Sequence, residues 1–109
     1  MTIRIILITS FITFSFLHLK AQSPKSALND QQKSMIIISA ITAKGDLKAL
    51  KKELSTGLDA GLTIHKIKEC IVHAYAYCGF PRSIRGLQTF MEVLEERKVK
   101  GIVDTAGAP

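Results

Sequence analysis

Hydrophobic residues recur at helical spacing in four segments after residue 28. The first predicted helix runs from about Asp30 to Lys44, with Asn29 as its N-cap and Gly45 as the residue that ends it. Met35 to Ile38 is apolar nearly all round, and β-branched runs of this length are ambiguous by periodicity. A short buried strand is therefore the alternative, but the polar residues before this run and segment 40–43 after it favour a helix.

Two further helices follow with clearer apolar stripes. The second is predicted from Asp46 to about Ala60, with its leucines spaced 3-4-4 and Gly61 ending it. The third begins after the N-cap Thr63 and stops at Gly79. The leucine stripe of the second helix consists of Leu47, Leu50, Leu54 and Leu58. The core stripe of the third consists of Ile64, Ile67, Ile71, Tyr75 and Cys78.

The fourth helix is predicted from Pro81, which suits a first turn, to a stop at Gly101. Its predicted apolar face consists of Ile84, Leu87, Phe90, Met91 and Leu94. Residues 102–109 are expected to form an extended tail. Four amphipathic helices joined by short turns predict an all-α fold, a small helical bundle that needs no strand.

The first 21 residues have the layout of a secretory signal peptide. Arg4 supplies the positive charge, Ile5 to Leu17 is an apolar stretch of 13 residues, and Ala21 precedes a cut before Gln22. This stretch is shorter than the roughly 20 residues that span a bilayer. We predict a signal peptide over residues 1–21, a linker over 22–28 and one domain over 29–109. The expected product is exported, periplasmic or secreted, without a stable membrane span after cleavage; an uncleaved membrane-anchoring N-terminus is the alternative.

The charge distribution and the cysteine spacing argue against nucleic-acid binding, an internal disulfide and a zinc site. The net charge is +6, and four lysines cluster near the second helix, at positions 44, 48, 51 and 52. Neither interleaved aromatic residues nor a nucleic-acid motif accompanies them, so we expect a solvated lysine face and no nucleic-acid partner. Cys70 and Cys78 lie about 12 Å apart along a continuous helix, beyond the roughly 7 Å that a disulfide spans. The sequence lacks CxxC and zinc-like spacing, and we predict no metal.

The third helix concentrates the titratable groups on one side. With Ile64 placed at 0°, Glu69, His73 and Tyr77 fall near about 140°, 180° and 220°, and Cys70 near about 240°. Glu69 and His73 are i,i+4 neighbours whose side chains can meet. A solvated face is the plain interpretation. The alanines and the thiol on this side instead suggest burial, and in so short a chain the cover would come from a second subunit.

This segment resembles the carboxymuconolactone decarboxylase family. The resemblance rests on Gly61 to Glu69 (GLTIHKIKE), Cys70 to His73 (CIVH) and Tyr75 to Pro81 (YAYCGFP), and it spans about residues 35–105. It implies an all-α, cofactor-free protein of the alkylhydroperoxidase D superfamily that assembles into trimers or hexamers with sites near subunit contacts. Glu69 and His73 match the positions usually proposed for proton transfer.

Three hypotheses follow for the function. The first is a decarboxylase-like lyase or isomerase that acts on a small carboxylated or lactone substrate. In it Glu69 and His73 handle the proton, Tyr77 orients His73 or binds substrate, and Arg82 or Arg85 binds a carboxylate.

The second hypothesis is a peroxiredoxin-like antioxidant that uses Cys70. The peroxidase branch of the superfamily uses a CxxC pair followed by a His, and here Cys70 has no partner three residues away. A dithiol cycle is therefore disfavoured, and a one-cysteine reaction stays open. The third hypothesis is a helical oligomerisation module without catalysis.

Overall fold

The computed structural model describes residues 2–6 and 27–109. Most of the predicted signal peptide and of the predicted linker lies outside these residues, and both stay predictions. Residues 2–6 are helical. Within the described ranges, no helix combines the length and the apolar character that crossing a membrane requires.

Four helices make up the domain: α1 (Asp30–Lys44), α2 (Leu47–Asp59), α3 (Ile64–Cys78) and α4 (Phe80–Val99). Residues 27–109 contain no strand, so the all-α prediction is confirmed and the strand alternative for Met35 to Ile38 is wrong. α1 packs on α2 and α3, while α4 packs on α2 and α3. The helix bounds agree with the predicted ones to within one or two residues.

Local capping explains this agreement. Asn29 and Gln32 form a reciprocal capping box at the start of α1. Thr63 accepts the backbone N–H of Lys66 at the start of α3, at 3.2 Å. Gly45 ends α1 with φ +80°, a left-handed conformation that a residue with a Cβ rarely adopts.

The core lies where the four helices meet, and it includes three of the four leucines of the predicted α2 stripe, while Leu47 packs against it partly buried. Its buried apolar residues are Ile38, Leu50, Leu54, Leu58, Leu62, Ile67, Ile71, Phe90 and Val93. The predicted stripe of α3 holds only in part, because Tyr75 is exposed and packs edge-to-face on Phe80, with the ring centroids 6.1 Å apart. The buried core along α3 therefore ends at Ile71, about two turns before the last residue of the helix, Cys78.

The buried face of α4 differs from the predicted one. Met91 is 69% exposed, whereas the small residues Ser83 and Gly86 are buried. Ser83 Oγ donates to the Ile71 carbonyl at 2.8 Å, and a Cβ on Gly86 would lie 3.0 Å from Ile71 Cγ2. The inward face of α4 therefore combines the apolar Phe90 and Val93 with small residues that allow α3 to approach closely.

The C-terminal tail is tied to the start of α3. The carbonyls of Thr105 and Ala106 accept the backbone N–H groups of Ile64 and His65, both at 2.9 Å. These N–H groups would otherwise lack partners at a helix N-terminus. The tail thereby fixes the first turn of the helix that carries the titratable side chains.

The tail is anchored by a partly buried ion pair. The Arg97 guanidinium donates to Asp104 through three contacts of 2.9 to 3.1 Å, and its Nη2 also lies 2.9 Å from Asp59 Oδ1. The hydrogen bonds to Asp104 raise the pKa of Arg97 further above its ordinary value, although desolvation opposes them.

Candidate functional site

A groove of about 830 Å³ runs between α1 and α3. Its α1 wall is mostly apolar, and its α3 wall carries the titratable groups. The lining residues are Met35, Ile36, Ser39, Ala40, His65, Lys66, Glu69, Cys70, His73, Ala74 and Tyr77. The groove therefore brings together four of the six predicted site residues: Glu69, Cys70, His73 and Tyr77.

The His73 ring is oriented by backbone. Its Nδ1 lies 3.2 Å from the carbonyl oxygen of Glu69, one turn earlier in α3. A carbonyl oxygen can only accept, so Nδ1 carries the proton and the lone pair of the neutral imidazole is on Nε2. An imidazole held by one nitrogen with the other free can take up a proton from a bound molecule.

The Glu69 carboxylate does not pair with His73. Its Oε1 lies 3.8 Å from Lys68 Nζ, and both side chains are about half exposed. Such a solvent-screened contact contributes little, about 0–1 kcal/mol, and leaves the carboxylate able to interact with a ligand. Glu69 thus has two roles: its backbone carbonyl orients the His73 ring, and its carboxylate lines the groove.

Cys70 has a partner that sequence reasoning missed. Its Sγ lies 3.0 Å from Ser39 Oγ, across the groove on α1. Ser39 also donates to its own helix, to the Met35 carbonyl at 2.8 Å. The single hydroxyl proton can rotate between that carbonyl and the sulfur, so Ser39 can accept from a thiol and donate to a thiolate. A serine inside the apolar face of the first predicted helix was the available signal.

Tyr77 lies at the rim of the groove and is 90% exposed. Within residues 27–109, no hydrogen bond joins it to His73, and the Glu69 carbonyl orients the imidazole instead. Tyr77 remains a candidate for binding substrate at the rim.

Arg82 and Arg85 lie elsewhere, in a second groove near the end of α1 and the start of α4. Within one chain they are not placed to hold a carboxylate beside His73. The cation that does line the first groove is Lys66, with His65 one residue before it. Lys66 falls near about 200° on the helical wheel, between His73 and Tyr77, so the pattern contained this signal.

The potential metal ligands and the two cysteines of the described part of the chain lie apart from one another. No group of three or more His, Cys, Asp or Glu side chains there is arranged to hold a metal ion. Cys70 and Cys78 are both free thiols, and Cys78 Sγ donates to the Ala74 carbonyl at 3.0 Å.

Comparison with known proteins identifies the family. The model of the carboxymuconolactone decarboxylase family matches residues 11–91, most of the chain. The chain belongs to this family. The match begins inside the predicted signal peptide and ends within α4. It confirms the resemblance seen at Gly61 to Pro81 and agrees with the helical fold, and it covers His73, Glu69 and Cys70.

A curated relative of this chain is itself uncharacterized and suggests no activity. An uncharacterized protein of Methanocaldococcus jannaschii is 26% identical over 66 residues, which cover 61% of this chain and 62% of the relative. The chain thus spans less than two thirds of that relative's length. No solved structure matches the chain significantly. Membership in the carboxymuconolactone decarboxylase family leaves the substrate, the reaction and the assembly as proposals.

Proposed function

We propose that the chain is a cofactor-free, decarboxylase-like enzyme that acts on a small carboxylated or lactone substrate in the groove between α1 and α3. The observation that carries this proposal is the His73 imidazole. Its Nδ1 is held by the Glu69 carbonyl, its Nε2 forms no hydrogen bond within residues 27–109, and one wall of the groove is apolar. Such an arrangement suits proton transfer to or from carbon.

The groove offers complementary surfaces for such a substrate. The hydrocarbon part of a lactone would pack against Ile36 and Ala40, and its carboxylate would lie near Lys66. Loss of carbon dioxide leaves an electron pair that the lactone carbonyl delocalises, and one proton must then reach the carbon. Protonated His73 would deliver that proton, with Glu69 as the second acid–base group, and water would restore it.

The test compares two imidazoles of the same groove. His73→Ala should lower the rate of carbon dioxide release from a carboxylated lactone by about 100- to 10,000-fold, the range typical of a lost general acid or base. His65→Ala is the matched control and should have a much smaller effect. Undiminished turnover in His73→Ala, or no turnover by the wild-type protein on a panel of such lactones, would contradict the proposal.

A second candidate function is a one-cysteine peroxidase, favoured by the 3.0 Å contact between Cys70 and Ser39. The Cys70 thiolate would attack one peroxide oxygen and break the O–O bond; Cys70 becomes a sulfenic acid, and the alkoxide that leaves takes up a proton from water to become the alcohol. An external thiol would then have to reduce that sulfenic acid to regenerate Cys70. Alkylation of Cys70 at neutral pH no faster than that of a free model thiol would argue against this function.

We also propose that a second subunit covers the groove. Ile36 and Tyr77 are largely exposed at its edge in the single chain, although both are large apolar or amphipathic side chains. Size-exclusion chromatography with light scattering should show a homo-oligomer. A folded, strictly monomeric protein would contradict the covered site. Full exposure of Glu69 and His73 in the assembled oligomer would favour the non-catalytic module instead.

A further inference from the structure

We infer that the second groove, between the end of α1 and the start of α4, binds a phosphate group. This groove has a volume of about 330 Å³ and is lined by Lys44, Gly45, Leu47, Pro81, Arg82 and Arg85. Three of the six lining residues are cations, and none is an acid. The proposal is independent of the chemistry assigned to the groove beside His73.

The Arg82 guanidinium is held in a fixed position. Its Nη1 donates to the carbonyl of Ala43 at 2.6 Å, close to the end of α1. It also packs directly over Gly45, where a Cβ would come within 2.7 Å of the same nitrogen. Because a carbonyl is neutral, this hydrogen bond orients the guanidinium without cancelling its charge. Its other N–H groups remain donors for a ligand.

The neighbouring cations also form no ion pair with an acid of residues 27–109. Arg85 Nη1 donates to the Gln88 side-chain oxygen at 2.9 Å, again a neutral acceptor. None of the ion pairs formed among residues 27–109 includes Lys44, Arg82 or Arg85. Asp46, the acid next to Gly45 in the chain, uses its carboxylate to cap α2 by accepting from Ala49 N at 3.0 Å.

The backbone at this groove adds to the positive potential. α4 begins after Gly79, and no side chain of the described residues caps its first N–H groups, so the positive end of its dipole adds to the field of the cations. The carbonyls at the end of α1 act in the opposite sense, and Arg82 already binds one of them. A compact anion with more than one negative charge and several acceptor oxygens fits three cations better than a carboxylate does.

The experiment follows backbone amide signals of the full chain at constant ionic strength. Inorganic phosphate and phenyl phosphate are titrated separately, with benzoate as the carboxylate of matched size. We expect the largest shifts at Gly45 and Arg82, with benzoate binding at least tenfold more weakly than phenyl phosphate. Equal affinities for the two phosphates would indicate a site for free phosphate. Tighter binding of phenyl phosphate than of inorganic phosphate would indicate a site for an organic phosphate.

Two variants and one control variant test whether phosphate binds in this groove. Arg82→Gln and Arg85→Gln should each weaken phosphate binding at least tenfold; within residues 27–109 the Arg85 side chain hydrogen-bonds only to the exposed Gln88. Lys52→Gln removes an exposed charge of α2 outside the groove and should leave the affinity unchanged. The inference is overturned by shifts that spread over all lysines, by equal losses in Lys52→Gln and Arg85→Gln, or by benzoate binding as tightly as phenyl phosphate. Absence of binding by both phosphates overturns it as well.

Discussion

Replacing Asp104 with asparagine tests the contact that ties the C-terminal tail to the start of α3. The side chains of Arg97 and Asp104 are only 10% and 9% exposed, and three N–H···O contacts join them. Asparagine keeps the shape and one oxygen but removes the charge. Arg97 would then retain only Asp59 as an ionised partner, and that side chain is 68% exposed.

The expected loss follows from this geometry. Removing one partner of a buried ion pair costs about 3–5 kcal/mol when nothing replaces it. The remaining oxygen and the screened contact with Asp59 reduce this, so we expect Asp104→Asn to lower the free energy of unfolding by about 2–3 kcal/mol. For a domain of this size, each kcal/mol moves the melting temperature by roughly 4–8 °C. The predicted decrease is therefore about 10–20 °C.

Urea denaturation followed by circular dichroism at pH 7 measures the loss. Arg97 is a base with a raised pKa, so its contribution is complete below the ordinary arginine value and is lost only as the pH rises through the folded-state value. Neutral pH thus reports the full effect. Asp59→Asn is the control and should cost less than about 1 kcal/mol, because that partner is exposed. Equal losses in the two variants would refute the reasoning.

Hydrogen exchange provides a local readout of the same variant. The N–H groups of Ile64 and His65 donate to the tail carbonyls. In Asp104→Asn they should exchange faster than amides in the middle of α3. If their protection is unchanged while global stability falls, the ion pair does not act through the tail.

The remaining predictions concern the helix contact and the thiol. Gly86→Ala places a Cβ 3.0 Å from Ile71 Cγ2 and 3.2 Å from Thr42 Cγ2, and both neighbours are buried. Overpacking of this kind lowers the free energy of unfolding by about 1–3 kcal/mol, whereas the better helix propensity of alanine raises it by roughly 1 kcal/mol. The overpacking should therefore outweigh the gain. Urea denaturation should show a net loss, and a stabilised variant would contradict this packing. Ser39→Ala should slow iodoacetamide alkylation of Cys70 by about two- to tenfold, since one hydrogen bond is worth about 0.5–1.5 kcal/mol. Mass spectrometry measures that rate, and an unchanged rate would show that the hydroxyl does not support the thiolate.

The helices were predictable because their signals are local. Three N-cap side chains each accept a backbone N–H three residues later in the chain, and Gly45 ends α1 through its own backbone conformation. The N-cap residues are Asn29, Asp46 and Thr63. The leucine stripe of α2 is also readable from spacing alone. These features need no knowledge of what each helix packs against.

Local signals did not predict the buried face of α4 or the contacts that hold the C-terminal tail. Gly86 and Ser83 turn inward because α3 approaches closely, and hydrophobicity patterns give such small residues no weight. Arg97 is buried only because Asp104 and Asp59 meet it from other parts of the chain. These contacts depend on tertiary geometry.

The candidate site likewise has residues that local spacing predicts and residues that only the tertiary structure brings in. Glu69, Cys70, His73 and Tyr77 share one face of one helix, so spacing placed them together. Ser39 comes from another helix and could not be found by spacing within α3. Arg82 and Arg85 follow the family motif closely in sequence, but they line a different groove from the one beside His73.

The central claim is that the groove between α1 and α3 holds the substrate against His73. The most direct measurement is a titration of the isotopically labelled protein with a carboxylated lactone analogue that cannot lose carbon dioxide. We expect the ring signals of His73 and the amide signals of Ala40, Glu69 and Ala74 to shift together with one dissociation constant. Shifts confined to the groove around Arg82, or no shift at His73 at saturation, would contradict it.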